Sequence, residues 1–464
     1  MPEAEPTHNP SAAAPLDPTQ GANADPHVQP AAYLTASVPG IGGHIKERAE
    51  DFIVDEVPLY QPSGDGEHIY LYIEKKGLST TEMLTILMRH FGVGRIAVGV
   101  AGMKDKRAMT RQVVSLHAPG KRLEDFPMLR HERLFVHWAD YHNNKLRTGH
   151  LLGNRFSIRV RGVEPTSVVR AKKSLDLLEA SGVPNRYGEQ RFGNLGNNHL
   201  VGRAMILGQH ERAIHEWLGI GARRGVQPHI FAEARDLADK GQWLDAAERY
   251  PLYARAERRL CAKLGKGVPP HDALASVDEP FRRFMISAFQ SAVFNIVLDK
   301  RLDAGTLDTL LPGDIALHVD DRRLRRIDDT NAADPALREA LASKLLSPSG
   351  PMWGARMPKA TGDVLRTETE ALAELGVTPA DLIEFQKHSG RLIDGSRRPL
   401  RVPLIDPAVE GGVDEHGAFV RLAFEMPRGS FATVVLREVI KPKPGQSLED
   451  DSPGESDELE ESRG

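Results

Sequence analysis

The sequence predicts an α+β fold in which a mixed or antiparallel sheet, flanked by helices, is interrupted by a long helix-rich segment. Three observations predict it. Apolar and polar residues alternate in short runs toward both ends of the chain, at Phe156/Ile158/Val160 and again at Val420/Leu422/Phe424/Met426, the period of a half-buried strand. Between these runs, residues from about 211 to 385 are richer in Ala, Leu and Arg and carry helical spacing. Strand-like patterning that resumes after about residue 400 then implies one domain interrupted by another.

In chain order, His68 to Glu74 reads as a strand rich in β-formers. Ser79-Thr80-Thr81-Glu82 has the capping-box spacing. The helix it opens repeats apolar residues at Met83/Leu84, Leu87/Met88 and Phe91 and stops at Gly92. Ile96 to Val100 is a short apolar strand and Ala101 to Lys106 a loop. Ser157, Arg159 and Arg161 form the Arg-bearing outer face of the strand whose inner face is Phe156/Ile158/Val160. Val168 to Ala180 is an amphipathic helix closing at Gly182, and Phe281, Phe284/Met285, Ala288/Phe289, Ala292 and Ile296 share one face of a longer helix. The predicted organisation is residues 31–210 with 386–441 as the interrupted domain and 211–385 as the insertion. Residues 1–30, almost empty of large apolar side chains, and the Pro-punctuated, acidic 442–464 are expected to be disordered tails.

Composition narrows the function classes. The chain has 464 residues, 40% apolar and 27% charged, within the range of soluble globular proteins, and suggests two or three folded units. The single cysteine, Cys261, excludes an internal disulfide and a Cys-rich zinc site and fits a reducing cytoplasm. No apolar run is long enough to span a bilayer. The first thirty residues lack Lys, Arg and an apolar stretch, unlike a signal or transit peptide. The formal charge of −4 conceals two acidic ends: residues 1–30 carry −4 and 448–464 carry −7, leaving +7 on 31–447. A basic body suits a polyanionic partner, and an ordinary solvated surface accounts for it equally well. There is no dinucleotide fingerprint, because Gly92-Val93-Gly94 is followed only by Gly99, and no P-loop or H-E-x-x-H motif. The eighteen histidines are scattered, without metal-ligand spacing.

Three segments are dense in chemically capable residues. Ala101-Gly102-Met103-Lys104-Asp105-Lys106-Arg107-Ala108-Met109-Thr110-Arg111-Gln112 presents one carboxylate between two lysines. Neighbouring cations favour an ionised carboxylate, the form a nucleophile or base uses, although charged β-turns of this kind are commonplace. Pro184-Asn185-Arg186-Tyr187-Gly188-Glu189-Gln190-Arg191-Phe192-Gly193 mixes rings, amides and guanidinium groups suited to stacking on, reading and anchoring an unpaired nucleotide. A Gly-bounded strand with exposed charges is the equal alternative. Pro427-Arg428-Gly429-Ser430-Phe431-Ala432-Thr433-Val434-Val435-Leu436-Arg437-Glu438 reads on its own as a strand, a turn and a helix with a buried phenylalanine.

Together and in this order these segments resemble the TruD family of pseudouridine synthases. The first resembles the family's catalytic-aspartate loop, the second its base-binding motif and the third its C-terminal aromatic motif. Lys46 with Glu50 to Val54, Gln290-Ser291 with Phe294-Asn295, and Ser349 to Gly354 are further matches, and the resemblance spans roughly residues 40–441. It implies a pseudouridine-synthase domain interrupted by a TRUD insertion and isomerisation of uridine to pseudouridine at position 13 of tRNA, with no metal or organic cofactor. It also implies Asp105 as the catalytic carboxylate and Lys46, Asn185, Tyr187 and Phe431 as active-site residues. The family often carries Phe where Tyr187 stands, whereas Tyr is usual at the corresponding place in other pseudouridine synthase families. The segment between Gln209 and Asp278 is long for the family. The rival classes are a non-catalytic RNA-binding or RNA-remodelling protein and, more weakly, a methyl-transferring enzyme, for which no glycine-rich cofactor loop is evident.

Overall fold

A computed structural model describes residues 32–193, 195–219, 229–389, 392–443 and 448. The reading of residues 1–30 as a disordered tail lies outside the described residues, as does that of 442–464 apart from 442, 443 and 448.

The first half of the chain builds a sheet from β1 (Phe52–Pro58), β2 (His68–Lys76), β3 (Val98–Val100), β4 (Met109–His117), β5 (Leu134–His142) and β6 (Leu151–Arg161), with helices α1 (Thr80–Phe91) and α2 (Val168–Ser181). The predicted capping box forms: Ser79 Oγ accepts the Glu82 N–H at 3.1 Å, and the Glu82 carboxylate accepts the Ser79 N–H at 2.7 Å. Gly92, in the left-handed region at φ 63°, ends α1. Two residues, β7 (Val183–Pro184), then lead out of this domain.

The helical segment that follows comprises α3 (Asn198–Ile206), α4 (His210–Leu218), α5 (His229–Asp239), α6 (Trp243–Arg249), α7 (Arg255–Gly265), α8 (Pro270–Ala275) and the long α9 (Glu279–Asp303). Every residue of α9 from Ala288 to Asp299 is buried, so it is a central helix covered on all sides rather than on the one predicted face. A four-stranded sheet comes next, from β8 (Ile315–His318), β9 (Leu324–Arg326), β10 (Leu346–Met352) and β11 (Ser396–Pro399), with helix α10 (Pro335–Ala342) between β9 and β10 and helices α11 (Gly362–Glu374) and α12 (Pro379–Ser389) between β10 and β11. The chain returns through β12 (Arg401–Val402), which pairs antiparallel with β7. It finishes with β13 (Ile405–Asp414), β14 (Gly417–Pro427) and α13 (Ala432–Ile440). The pairing of β7 with β12 sets apart residues 185–400, within which the sequence-derived 211–385 falls.

The two ends of the chain complete one eight-stranded sheet of order β13-β14-β6-β1-β4-β2-β5, with β3 paired to β4. It is mixed: β1 and β4 run parallel and the other pairs antiparallel. The alternating runs of β6 and β14 meet in register, Phe156 opposite Phe424 and Ile158 opposite Leu422. Their inner faces bury against α2 and α13 around Leu175, Leu178 and Val435. A second core under β2 packs Ile69, Leu71 and Ile73 on Met83, Leu84 and Leu87 of α1.

Two local expectations are corrected. Ile96 lies in a 3-10 turn (Arg95–Ala97) before β3 and is 90% exposed; three-residue pairing leaves no strand for it to extend. Arg161 does not face solvent. It is buried, its guanidinium forked between Asp51 (2.7 and 3.0 Å) and Asp414 (2.8 and 2.9 Å). The bonds to Asp414 and Asp51 raise the Arg161 pKa, and that to Arg161 lowers the Asp414 pKa.

Candidate active site

Asp105 stands in the loop between β3 and β4, half-buried. Lys46 comes to it from 59 residues upstream and forms an ion pair with its Oδ2. Lys46 is 3% exposed, adopts the left-handed backbone at φ 59°, and sets its ammonium 4.7 Å from the centre of the Phe52 ring. The other carboxylate oxygen, Oδ1, accepts the Arg107 N–H at 3.2 Å. Both oxygens are therefore held in place.

The loop itself is shaped by buried polar groups. The Lys75 ammonium, at the end of β2, donates to the carbonyls of Leu78 (2.5 Å), Asp105 (2.7 Å) and Lys104 (3.2 Å). Thr80 Oγ1, in the first turn of α1, accepts the Lys104 N–H at 2.9 Å. The Lys104 side chain is buried and pairs with Glu56 at 2.7 Å. Of the two lysines that flank Asp105 in sequence, Lys104 thus points into the fold, and a lysine distant in sequence meets the carboxylate instead.

The second segment departs from the strand-like alternative. Only Val183–Pro184 are strand, and Glu189–Phe192 form a 3-10 turn closed by Gly193 at φ 78°. Asn185 and Arg186 are buried, not exposed. Asn185 seals the point where the chain leaves and returns: its N–H donates to Leu400 O at 2.8 Å and its Nδ2 to Pro399 O at 2.9 Å. Arg186 pairs with Asp299 of α9. Tyr187 is 9% exposed, its ring edge-on to Phe294 (5.8 Å, 82°) and tilted against Phe431 (6.0 Å, 51°). Phe431 is 39% exposed at the start of α13, where the sequence on its own suggested a buried ring. A helix-initiating position at the end of a strand–turn leaves its side chain at the surface.

Arg398 of β11, which sequence reasoning passed over, joins the two aromatic segments. Its guanidinium lies 4.1 Å from the centre of the Tyr187 ring and donates to Asn185 Oδ1 (2.6 Å), Asn185 O (3.2 Å) and Gly429 O (3.0 Å). Desolvation lowers its pKa. Nothing local marks it, since Arg397-Arg398 before a proline reads as a solvated pair. Two of the further motif matches, at Gln290 to Asn295 and Ser349 to Gly354, lie on this side of the site. Asn295 hydrogen-bonds the Tyr187 backbone, Gln290 Nε2 donates to Trp353 O at 2.6 Å, and a Cβ at Gly350 would come within 2.9 Å of Phe294.

Hydrogen bonds tie this cluster to the Asp105 loop. Gly149 N–H donates to Ala101 O at 2.7 Å, the Arg428 guanidinium donates to Gly149 O at 2.6 Å, and Arg428 N–H donates to Leu152 O at 3.0 Å. The three segments separated in sequence converge on one region.

A family model described as tRNA pseudouridine synthase D (TruD) matches residues 30–439. The chain belongs to the TruD family. A TruD relative from Geobacter metallireducens, named tRNA pseudouridine synthase D, is 41% identical over 410 residues, covering 88% of this chain and 97% of its own. One of the same name from Thermus thermophilus is 34% identical over 413 residues, covering 88% and 92%. The crystal structure of a putative tRNA pseudouridine synthase D (TruD) from Methanosarcina mazei is similar at a TM-score of 0.76 and 27% identity, over 90% of this chain and 97% of that one. The TruD resemblance and the α+β class read from the sequence both hold.

Proposed function

We propose that this TruD chain isomerises uridine to pseudouridine at position 13 of tRNA, with Asp105 as the carboxylate that does the chemistry. The single observation that carries the assignment is the Asp105 carboxylate held at both oxygens, by the buried Lys46 ammonium and the Arg107 N–H. A fixed carboxylate presents its reactive lone pairs without reorganising, which is how an enzyme lowers the cost of the chemical step.

The reaction breaks the N-glycosidic bond, turns the uracil and rejoins it to the ribose through carbon, with a proton leaving that carbon. Atoms and electrons balance within the nucleotide, so one carboxylate that attacks covalently or takes the proton suffices. Tyr187 and Phe431 supply ring faces for the detached uracil, while Asn185 and Arg398 hold those rings relative to each other. A base paired or stacked in tRNA must first be turned out to reach such a site.

The test is chemical mapping of pseudouridine on unmodified tRNA incubated with the protein alone. Modification at position 13 by the wild-type chain and none by Asp105→Asn is the expected result. tRNA affinity should stay within a few-fold, because phosphate contacts dominate binding. Turnover by Asp105→Asn within about tenfold of wild type overturns the catalytic role, and modification elsewhere overturns the position.

A further inference from the structure

We propose that the cleft beside Tyr60 is a second nucleotide site, in which an unpaired nucleotide of the tRNA stacks on Tyr60 while Lys145 and Arg147 hold its phosphates. The inference rests on the reading of the chain as a tRNA-modifying enzyme and adds the path that the RNA takes away from Asp105.

The cleft is lined by Tyr60, Asn144, Lys145, Arg147 and His150 and has a volume of about 310 Å³. That is near the lower end of ligand-sized pockets, about 300–1,000 Å³, room for one nucleotide and not for a folded partner. Tyr60 is 37% exposed and stands edge-on to His150 (5.5 Å, 86°). Arg147 is exposed, Lys145 donates to Ile96 O from a half-buried position, and no carboxylate lines the cleft. His150 Nδ1 is buried with no hydrogen-bond partner in the structure, a polar atom suited to a base edge or phosphate oxygen.

Buried rings support the cleft from behind: Tyr60 tilts against His142 (6.0 Å), which stacks on Tyr70 (4.6 Å, 9°), and both of these are buried. Two residues along β2, on the same sheet face, Tyr72 stacks on Trp138 of the edge strand β5 (5.4 Å, 17°). Of the acidic groups on this face, Asp55 and Glu74 are engaged by Arg111, and Asp140, opposite Tyr70, accepts the Tyr141 N–H at 2.7 Å. Rings interleaved with cations bind single-stranded nucleic acid through stacking and phosphate contacts. The cleft also adjoins the candidate active site: Gly149, between Arg147 and His150, makes the bonds to Ala101 and Arg428 that tie the Asp105 loop to the aromatic cluster.

Binding of a labelled, unmodified tRNA transcript across a salt series, beside single-turnover rates at saturating enzyme, tests the proposal. Tyr60→Ala is expected to weaken binding about ten- to a hundredfold, with Tyr60→Phe near wild type because the π-face remains. Arg147→Ala is expected to reduce the slope of log affinity on log salt by somewhat under one, the loss of about one phosphate contact. Saturated rates should stay near wild type. Affinity within about twofold of wild type for Tyr60→Ala together with an unchanged slope for Arg147→Ala overturns the proposal, as does a loss confined to the saturated rate. Arg147 is exposed, so its variant keeps the test open if Tyr60→Ala folds poorly. A wild-type chain that binds tRNA but forms no pseudouridine sinks the catalytic reading while the binding arm still decides the cleft.

Discussion

Asn295 grips the backbone of Tyr187 from both sides: its Oδ1 accepts the Tyr187 N–H at 3.0 Å and its Nδ2 donates to the Tyr187 carbonyl at 3.0 Å. Both residues are buried, so water does not replace the amide freely. Asn295→Ala is expected to lower stability by about 1–3 kcal/mol, the cost of leaving buried backbone groups unpaired, and to slow pseudouridine formation by loosening the Tyr187 ring. Asn295→Asp should be worse, because a carboxylate oxygen would then face the Tyr187 carbonyl. Denaturant midpoints decide it: an Ala variant as stable as wild type means that other groups can take over the clamp.

Lys46 combines an ion pair to Asp105 with a left-handed backbone at φ 59°. The two roles separate by substitution. Lys46→Ala and Lys46→Gly both remove the ammonium and should both slow the chemical step about a hundredfold or more, since misplacing a reacting group costs that much. Only glycine relieves the backbone, so the Gly variant should be more stable than the Ala variant by about 1–2 kcal/mol. Equal thermal midpoints for the two would show that the left-handed turn carries no cost here.

The Arg398 guanidinium packs against the Tyr187 ring and also lies within 6.0 Å of the rings of Phe294 and Phe431, which themselves contact Tyr187. If the function of the Tyr187 ring is stacking, Tyr187→Phe retains most of the single-turnover rate. Tyr187→Ala should lose about 1–3 kcal/mol of stacking, roughly ten- to a hundredfold, and some stability from the cavity left behind. Rates measured well below each variant's unfolding temperature separate the two losses. A Phe variant as slow as the Ala variant would assign the proton-carrying hydroxyl, not the ring, to the reaction.

Leu448 is buried against the first core, and its carbonyl accepts the Ile45 N–H at 3.4 Å, next to Lys46. Residues 449–464 carry −7. Removing 449–464 should leave turnover intact and tighten tRNA binding, most visibly at low salt, as a repulsive charge is lost. Removing 444–464, Leu448 included, should lower the unfolding temperature as well. Equal unfolding temperatures for the two truncations would show that the Leu448 contact adds nothing to stability.

What the sequence determined by itself was decided within a few residues of each position. The Ser79/Glu82 box, the alternation of Phe156/Ile158/Val160 and Val420/Leu422/Phe424/Met426, and the stop at Gly92 all depend on local geometry, and the structure has each of them. The family was legible for a different reason: several motifs stand in order along the chain, and their order is a property of sequence alone. The tertiary structure decided which side chains meet. Arg161, outward by alternation, is buried because Asp51 and Asp414 reach it from 110 and 253 residues away. Lys104 turns to Glu56, leaving Lys46 to meet Asp105. Arg398 acquires its place only when β12 returns to β7 and sets β11 beside Asn185. Periodicity and capping are short-range, whereas charge pairing and ring contact depend on where the chain closes its long loops.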